Sequence, residues 1–347
     1  MYKPKNYFNK LKKCLLIAEI GVNHNGNMSL AKNMISEAKL AGASAVKFQT
    51  FTAKTLASEQ TPKVNYQKKL TPGAESHYEM LQRLELSKSD HLLLADFCKK
   101  LGILFLSTPY DIESAKFLHE EINVEMFKTA SADLVDLPLH EYIASTHKPV
   151  IISVGMGSMD EIEDLLKIYH KHNNHDLVLL HCVSNYPCNS KSINMEVMKT
   201  LSKVFHYPVG FSDHSVGPVA SILSIAFKAK VIEKHFTTDK NLEGPDHLAS
   251  ATPIELTNLF NSIREAEDIL GSPVKEIQKE EQQMSMVSRK SMHFSRVMNA
   301  GDSLKEKDVV LMRPGNGLYV SLLPKILGRK INTFVKKGSM VNLSDFI

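Results

Sequence analysis

Short apolar runs rich in β-branched and aromatic residues recur along this chain, and each is followed by a stretch with helical period. No other feature constrains the fold as strongly. The runs are LLIAEIG (15–21), SAVKFQT (44–50), ILFLST (103–108), EMFKTAS (125–131), PVIISVG (149–155), LVLLHCV (177–183), PVGFSD (208–213) and KVIEKHF (230–236). Between them, SLAKNMISEAKLAG closes on Gly42 and SMDEIEDLLKIYHKH places acidic residues in its first turn, both marks of helix ends. Eight strands alternating with helices predict an α/β fold, a closed (β/α)8 TIM barrel over residues 1–275, with its chemistry at the C-terminal strand ends. The competing open doubly wound sheet is disfavoured, because no Gly-x-Gly-x-x-Gly follows the first run and no Gly-x-x-x-x-Gly-Lys-Ser/Thr occurs.

After PIELTNLFNSIREAEDILGS, which reads as the eighth barrel helix, the chain turns charged and Gln-rich without sustained period, so 276–289 is read as a linker. Residues 290–347 hold short apolar pieces broken by Ala-Gly-Asp, Pro-Gly-Asn-Gly and Lys-Lys-Gly turns, the texture of a small domain of short strands with little core of its own. A hydrophobic fraction of 43% supports a sizeable core, and Lys+Arg of 42 against Asp+Glu of 38 leaves a net charge of only +4 with no basic block, which argues against nucleic acid. Apolar runs fall short of the roughly 18 residues that span a bilayer, so no membrane partner is predicted. The start, MYKPKNYFNKLKKC, is read as a loose lead-in to the first strand, since the apolar stretch behind it meets Glu19 too soon for a secretion signal. Cys14, Cys98, Cys182 and Cys188 are too scattered for a disulfide framework or a zinc site, which suits a reducing cytoplasm.

In a barrel, the polar residues at the strand C-termini converge on one mouth. Here they recur on every strand: Glu19 with Asn23, His24 and Asn25, then Lys47 and Gln49, Ser107 and Thr108, and Lys128 with Ser131 and Asp133. Ser153 follows, then His181, Ser184 and Tyr186, Ser212, Asp213 and His214, and finally Glu233, Lys234 and His235. Some have plainer readings: Ser153 alone suits a helix cap, His24 beside Asn25-Gly26 suits a turn, Cys182 suits the core, and the histidines of IYHKHNNH suit a solvated helix face. Lys47 and Lys128 do not. Both are flanked by apolar residues on interior strands, where an ammonium is costly without an anion, and alternation puts Lys47 and Gln49 on the face opposite Val46 and Phe48. They predict an anion site.

His214 and His235 end consecutive strands and are therefore neighbours in space. Two imidazoles can hold a divalent ion with open positions for water or substrate, with Glu19, Asp133 and Asp246 as surrounding acceptors. No thiolate accompanies them, which favours a harder ion such as Mn2+; the spacing alone leaves ordinary hydrogen-bonded histidines equally open.

The runs AEIGVNHNG (18–26), VKFQTF (46–51), STPY (107–110), SVGM (153–156), HCVSNYP (181–187), GFSDHS (210–215), IEKHFTTDKNLEGPDHLAS (232–250) and RPGNG (313–317) together resemble the sialic acid synthase (N-acetylneuraminate synthase) family, with its legionaminate, pseudaminate and spore-coat relatives. The resemblance spans essentially the whole chain. It implies a TIM barrel followed by a small antifreeze-like (SAF) domain, joined in a domain-swapped homodimer. It also implies an enzyme, a phosphoenolpyruvate-dependent C–C bond-forming transferase that joins phosphoenolpyruvate to N-acetylmannosamine or a related N-acyl sugar and releases phosphate. The alternative product is N,N'-diacetyllegionaminate, from 2,4-diacetamido-2,4,6-trideoxymannose.

Carried over residue by residue, the resemblance assigns His214 and His235 to the metal, most simply Mn2+. It assigns Lys47, Thr108, Lys128, Ser131, Ser153, Tyr186 and Ser212 to phosphoenolpyruvate, and Glu19, Gln49, Glu233 and Asp246 to the sugar. Arg313 matches an arginine that reaches the sugar's N-acyl group from the partner's small domain. Glu19 or Asp133 would position the attacking water while Lys47 and Lys128 neutralise charge. Three departures stand out: Ser131-Ala132-Asp133 shortens a common Ser-Gly-Glu by one methylene, Ser184 replaces a common Asn or Thr, and LYVSLLP follows RPGNG. A Schiff-base aldolase using Lys47 or Lys128, and a non-catalytic binding protein, are the remote rivals.

Overall fold

The computed structural model describes residues 6–63, 71 and 75–347, in two compact units, Met1–Gly271 and Ser272–Ile347. Eight parallel strands organise the first: β1 (Leu15–Gly21), β2 (Ala45–Thr50), β3 (Leu104–Pro109), β4 (Phe127–Thr129), β5 (Val150–Ser153), β6 (Leu177–His181), β7 (Val209–Asp213) and β8 (Val231–His235). Hydrogen-bonded neighbours run β3-β2-β1-β8-β7-β6-β5-β4, and β3 lies against β4, which closes the sheet into the expected barrel. All eight predicted strands are present. The fourth is the most trimmed, its run 125–131 reduced to Phe127–Thr129.

Side-chain alternation splits the strand residues between two cores. Leu16, Val46, Phe48, Phe127, Ile152, Leu179, Phe211 and Ile232 face outward into the layer beneath the helices. Ile17, Ala45, Leu106, Met126, Ile151, Val178, Leu180 and Val231 fill the barrel interior. Two residues on from Ala45, Met126 and Val231, the inward positions become Lys47, Lys128 and Glu233, so the interior is apolar below and charged at the C-terminal mouth. Surrounding helices begin where side chains can satisfy free backbone N–H groups: Asn27 caps Met28–Leu40, and capping boxes start Met159–Lys171 (Ser158, Glu161) and Pro253–Leu270 (Thr252, Glu255).

The N-terminal stretch corrects the reading of a loose lead-in. Residues Tyr7–Lys10 form a one-turn helix capped by Asn6, whose Nδ2 donates to the carbonyls of His175 and Leu177, each at 2.9 Å. Phe8 is fully buried among the interior residues Ile17 and Val178 and closes the barrel opposite its mouth. A four-residue helix is too short to show a period, and its anchors lie about 170 positions away in sequence.

In the second unit, β9 (Ser291–Phe294) pairs antiparallel with β10 (Val309–Met312) over a core of Met292, Phe294, Met298, Leu304, Ile326, Ile331 and Val341. The stretch expected to be a linker, 276–289, contains a helix, Gln282–Ser288, and Gly315 donates its N–H to the Met286 carbonyl at 2.7 Å. The four cysteines are free and buried. Among the described residues no helix is long and apolar enough to cross a membrane.

Removing the barrel plug tests its contribution. Phe8→Ala leaves a cavity that neighbouring strands cannot collapse into, and we expect it to lower unfolding free energy by about 3 kcal/mol in urea titrations while the far-ultraviolet circular dichroism stays unchanged.

Candidate active site

Strand register assembles the charged layer. Glu19 on β1 is level with Lys47 on β2 and with His235 on β8, Gln49 is level with Thr108 on β3, and Glu233 is level with Ser212 on β7. Lys47 Nζ lies 2.7 Å from Glu19 Oε2 and 3.9 Å from Glu233 Oε2, and donates to Thr108 Oγ1 at 2.9 Å. Lys128 Nζ, from β4, lies 3.8 Å from Glu233 Oε1 and donates to Ser153 Oγ at 2.6 Å and the Thr129 carbonyl at 2.8 Å. Ser212 Oγ donates to Glu233 Oε1 at 2.8 Å, and Gln49 Nε2 reaches Glu19 Oε1 at 3.4 Å.

All four charges are buried, and their neighbours divide them. Burial works against the Glu233 carboxylate, but Lys128 and Lys47 outweigh it and hold Glu233 below the usual range. For Glu19 burial prevails over the Lys47 ammonium and pushes the carboxyl up. Lys47 is raised, its two glutamates overcoming burial, whereas burial lowers Lys128.

The His214 and His235 rings lie 5.6 Å apart, with the Tyr186 ring 4.1 Å from the first and 5.4 Å from the second. His214 Nδ1 donates to the Val183 carbonyl at 2.8 Å, which leaves Nε2 as a lone pair. His235 Nδ1 is buried without a hydrogen-bond partner, 4.0 Å from Asp246 Oδ2. Burial lowers both histidines, His235 further because His214 adjoins it, which favours the neutral ring at each. Across the mouth, Gly155 donates its N–H to Ser131 Oγ at 3.0 Å. A Cβ at Gly155 would stand 2.7 Å from Cys182 Sγ and 2.8 Å from Ser184 Oγ, so glycine keeps this cradle open.

The four charged residues, both imidazoles, Tyr186 and Ser131 line one cavity of about 390 Å³. Residues 34–275 match the NeuB family. The chain belongs to it. Over 330 residues, 94% of this chain and 92% of its counterpart, it is 42% identical to an N,N'-diacetyllegionaminic acid synthase of Legionella pneumophila. It is 39% identical to the same-named enzyme of Campylobacter jejuni over 333 residues, 95% of this chain and 99% of that one. The solved N-acetylneuraminic acid (sialic acid) synthetase of Leptospira borgpetersenii superposes with a TM-score of 0.70 at 36% identity, covering 78% of this chain and 90% of that one. The chain is thus a nonulosonic acid synthase, an enzyme that forms a carbon–carbon bond with phosphoenolpyruvate.

Within this NeuB barrel, Glu19, Lys47, Gln49, Thr108, Lys128, Ser131, Ser153, Tyr186, Ser212, His214, Glu233, His235 and Asp246 all line the cavity. Three of the expected residues do not. Ser184 stands beside Gly155 and Ser131, just behind the lining. Asp133 sits on the turn Ser131–Val135 after β4, outside the lining, with Oδ2 buried and unpartnered; its charge is felt at Tyr110, which does line the cavity. Arg313 belongs to the second unit, where its Nε donates to the Ser288 carbonyl at 3.0 Å. Asp213 and Lys234, strand-end residues in sequence, face outward: they pair at 3.1 Å, and Asp213 accepts from Ser215 and Ser221. That pair anchors the loop following His214. Asn23 and Asn25 tie β1 to the loop bearing Asp246, through the carbonyls of Phe236 (2.9 Å) and Glu243 (2.8 Å), while His24 Nδ1 accepts from Gly26 N–H in the expected turn. His181 is also structural, bonded to the Ile193 carbonyl. Leu56, Ala57, Thr61, His77, Met80, Leu81 and Leu84 form a cavity wall that the sequence reading missed.

Burial, then Asp136, raises the Asp133 carboxyl from 3.8 to about 7. Between those values the folded protein keeps a proton that the unfolded chain has released, so this group's contribution to stability falls as pH rises through the window. Asp133→Asn removes the slope. Thermal unfolding followed from pH 4 to 8 is expected to show the variant gaining on the order of 1 kcal/mol over the parent at the upper end.

Proposed function

We propose that this chain condenses phosphoenolpyruvate with an N-acyl mannosamine-type sugar and water, giving a nine-carbon keto acid and phosphate. The observation that carries it is two buried lysines, Lys47 and Lys128, in one cavity with two imidazoles whose rings lie 5.6 Å apart. N-acetylmannosamine, giving N-acetylneuraminate, is the simplest acceptor; the likeness to the two N,N'-diacetyllegionaminic acid synthases favours 2,4-diacetamido-2,4,6-trideoxymannose.

A trianionic enol phosphate needs fixed cations and donors. Lys128 with Ser153, Lys47 with Thr108, and the Ser131–Gly155 cradle supply them on one side of the cavity, with Tyr186 and Ser212 completing the enclosure. Glu19, Gln49, Glu233 and Asp246 offer acceptors and donors to the sugar hydroxyls. His214 and His235 fit a divalent ion: burial favours the neutral ring at both, one has its lone pair freed by the Val183 carbonyl, and the other has an orphaned nitrogen. Among the described residues no third His, Cys, Asp or Glu joins them, which suits Mn2+ with open positions better than a closed structural site. When bound, that ion supplies a Lewis acid for the sugar's aldehyde oxygen.

The enclosure holds C3 of the enol phosphate against the aldehyde carbon, and the carbon–carbon bond forms as positive charge develops at C2 and the aldehyde oxygen takes up a proton from the Glu19 carboxyl, whose proton affinity burial raises. Water adds to C2, and the proton it loses goes to a carboxylate whose affinity is raised by burial; Glu19 has that property inside the cavity, and Asp133 has it outside the lining. The tetrahedral centre then expels phosphate by C–O cleavage, with Lys47 and Lys128 holding the leaving charge. The second unit is read as an antifreeze-like domain that swaps within a homodimer to bring Arg313 to the N-acyl group.

Two measurements test this reading. Phosphate release from phosphoenolpyruvate with Mn2+ and a panel of N-acyl mannosamines should be observed for the parent and fall at least 1,000-fold in His235→Ala, on the scale of losing a catalytic Lewis acid; His235→Ala should also fail to bind Mn2+ in electron paramagnetic resonance titrations. Near-normal turnover in that variant removes the ion from the mechanism. Separately, mixing Arg313→Ala and His235→Ala chains after co-refolding should restore about a quarter of parental activity if domains are exchanged, and none if each chain serves its own barrel.

A further inference from the structure

The anion cradle depends on a turn that is weakly held at its own start. After β4, Ser131–Val135 forms a tight helical turn of five residues, and Ala130 before it offers no side chain to the free N–H groups. Such tight runs seldom exceed about three or four residues, because their hydrogen bonds are poorly aligned. Ser131 nevertheless has to stay at the cavity wall, where its Oγ accepts from the Gly155 N–H at 3.0 Å and lies 3.1 Å from Cys182 Sγ. Support comes from behind. His140, at the end of the first turn of the helix Leu137–Ser145, is fully buried, and its Nε2 lies 3.2 Å from the Asp133 carbonyl in the middle of the turn. Its Nδ1 lies 2.8 Å from the hydroxyl of Tyr169, itself fully buried on the helix Met159–Lys171.

These contacts fix one tautomer. A carbonyl can only accept, so the imidazole proton is on Nε2, and the Nδ1 lone pair accepts from the Tyr169 O–H. Burial pushes the imidazole down to about 4 and the phenol up, which keeps the ring neutral and the phenol a donor. The other buried residues of the two helices are hydrocarbon, Leu139, Ile143 and Ala144 on one and Ile162, Leu165 and Leu166 on the other. Polar side chains in such a layer are costly unless satisfied, and what this pair adds over hydrocarbon is one N–H aimed at the backbone of the turn. We propose that His140 is a positioning residue for the phosphoenolpyruvate site: its imidazole, with the proton fixed on Nε2 by Tyr169, holds the turn so that Ser131 stays in the cradle. The proposal rests on the synthase reading above. Glu19, Gln49, Glu233 and Asp246, the groups offered to the sugar, come from β1, β2, β8 and the segment after β8, so loosening the turn weakens the hold on one substrate and not the other.

The test uses the full chain with Mn2+ and whichever of N-acetylmannosamine and 2,4-diacetamido-2,4,6-trideoxymannose the parent turns over, read by phosphate release. His140→Leu should raise the phosphoenolpyruvate KM about tenfold, the scale of one misaligned donor to an anion, and leave the sugar KM within about twofold. His140→Gln, whose amide can donate to the Asp133 carbonyl and accept from Tyr169, should return the phosphoenolpyruvate KM to within about threefold of the parent. Tyr169→Phe changes no atom of the cavity lining and should raise the same KM about threefold, the scale of one neutral hydrogen bond. In long-range proton–nitrogen NMR spectra of labelled histidines, the ring whose signals vanish in His140→Gln should carry its proton on Nε2 in the parent and exchange it between both nitrogens in Tyr169→Phe. A merely weakened fold lowers kcat per mole of chain and moves neither KM, so the split separates positioning from stability. If His140→Leu does not fold, the Tyr169→Phe KM values and the parental tautomer decide. A phosphoenolpyruvate KM unmoved in the variants, equal rises in both KM values, no recovery in His140→Gln, or a parental proton on Nδ1 overturns the role of His140 while the synthase reading stands. Absence of phosphate release from the parent with both sugars overturns the synthase reading and this role with it.

Discussion

Two lysines and two glutamates held out of water at the mouth of one barrel are the arrangement on which the rest of this protein depends. An isolated buried ammonium loses several kcal/mol of hydration, so neither Lys47 nor Lys128 can occupy an interior strand position without anions within reach. Glu19 and Glu233 meet that need from β1 and β8: the register sets Glu19 level with Lys47, and Glu233 Oε1 lies 3.8 Å from the Lys128 ammonium on β4. The set is electrically balanced in the protein alone. A hydrocarbon replacement of similar volume would remove the charges that an anionic substrate needs.

The barrel makes this layer possible by separating duties along each strand. Inward positions near the plug are apolar and hold the cylinder together, and inward positions near the mouth are charged. Outward positions face the helices, with one informative exception. Asp213 and Lys234 form a buried pair on the outside of β7 and β8, where Lys234 also donates to the Ser215 carbonyl at 2.5 Å. They flank His214 and His235 in sequence yet never enter the cavity. Both bond Ser215, the residue that follows His214, Asp213 through the Ser215 N–H and hydroxyl and Lys234 through the carbonyl.

Much of this was legible in the residues. Period-two alternation correctly put Lys47 and Gln49 on one side of β2, and consecutive strand ends correctly predicted that His214 and His235 would meet. The same alternation, applied to Glu233, Lys234 and His235, distinguishes the outward lysine from its inward neighbours, so that signal was present and unused. The Phe8 plug was not legible, because one helical turn has no period and its partners are remote in sequence. The wall after β2 escaped for a related reason: its residues are drawn from a one-turn helix and a two-turn helix, and their apolar faces look like ordinary core until the cavity is seen beside them. Asp133 lies on the turn Ser131–Val135 outside the lining, a placement that its position after β4 in the sequence did not reveal.

The balanced quartet poses a problem that its own asymmetry answers. An enol phosphate brings more negative charge than two ammonium groups can neutralise while they also compensate two carboxylates. One carboxylate must give way. Glu233 is held ionised by Lys128, Lys47 and the Ser212 hydroxyl, whereas Glu19 already sits above the usual carboxylate range because burial outweighs its single close lysine. On the proposed reading, an incoming anion that draws Lys47 away removes the attraction that kept Glu19 ionised, and the carboxyl takes up a proton; it passes that proton to the aldehyde oxygen as the carbon–carbon bond forms, and the carboxylate so regenerated is the acceptor for the proton of the attacking water.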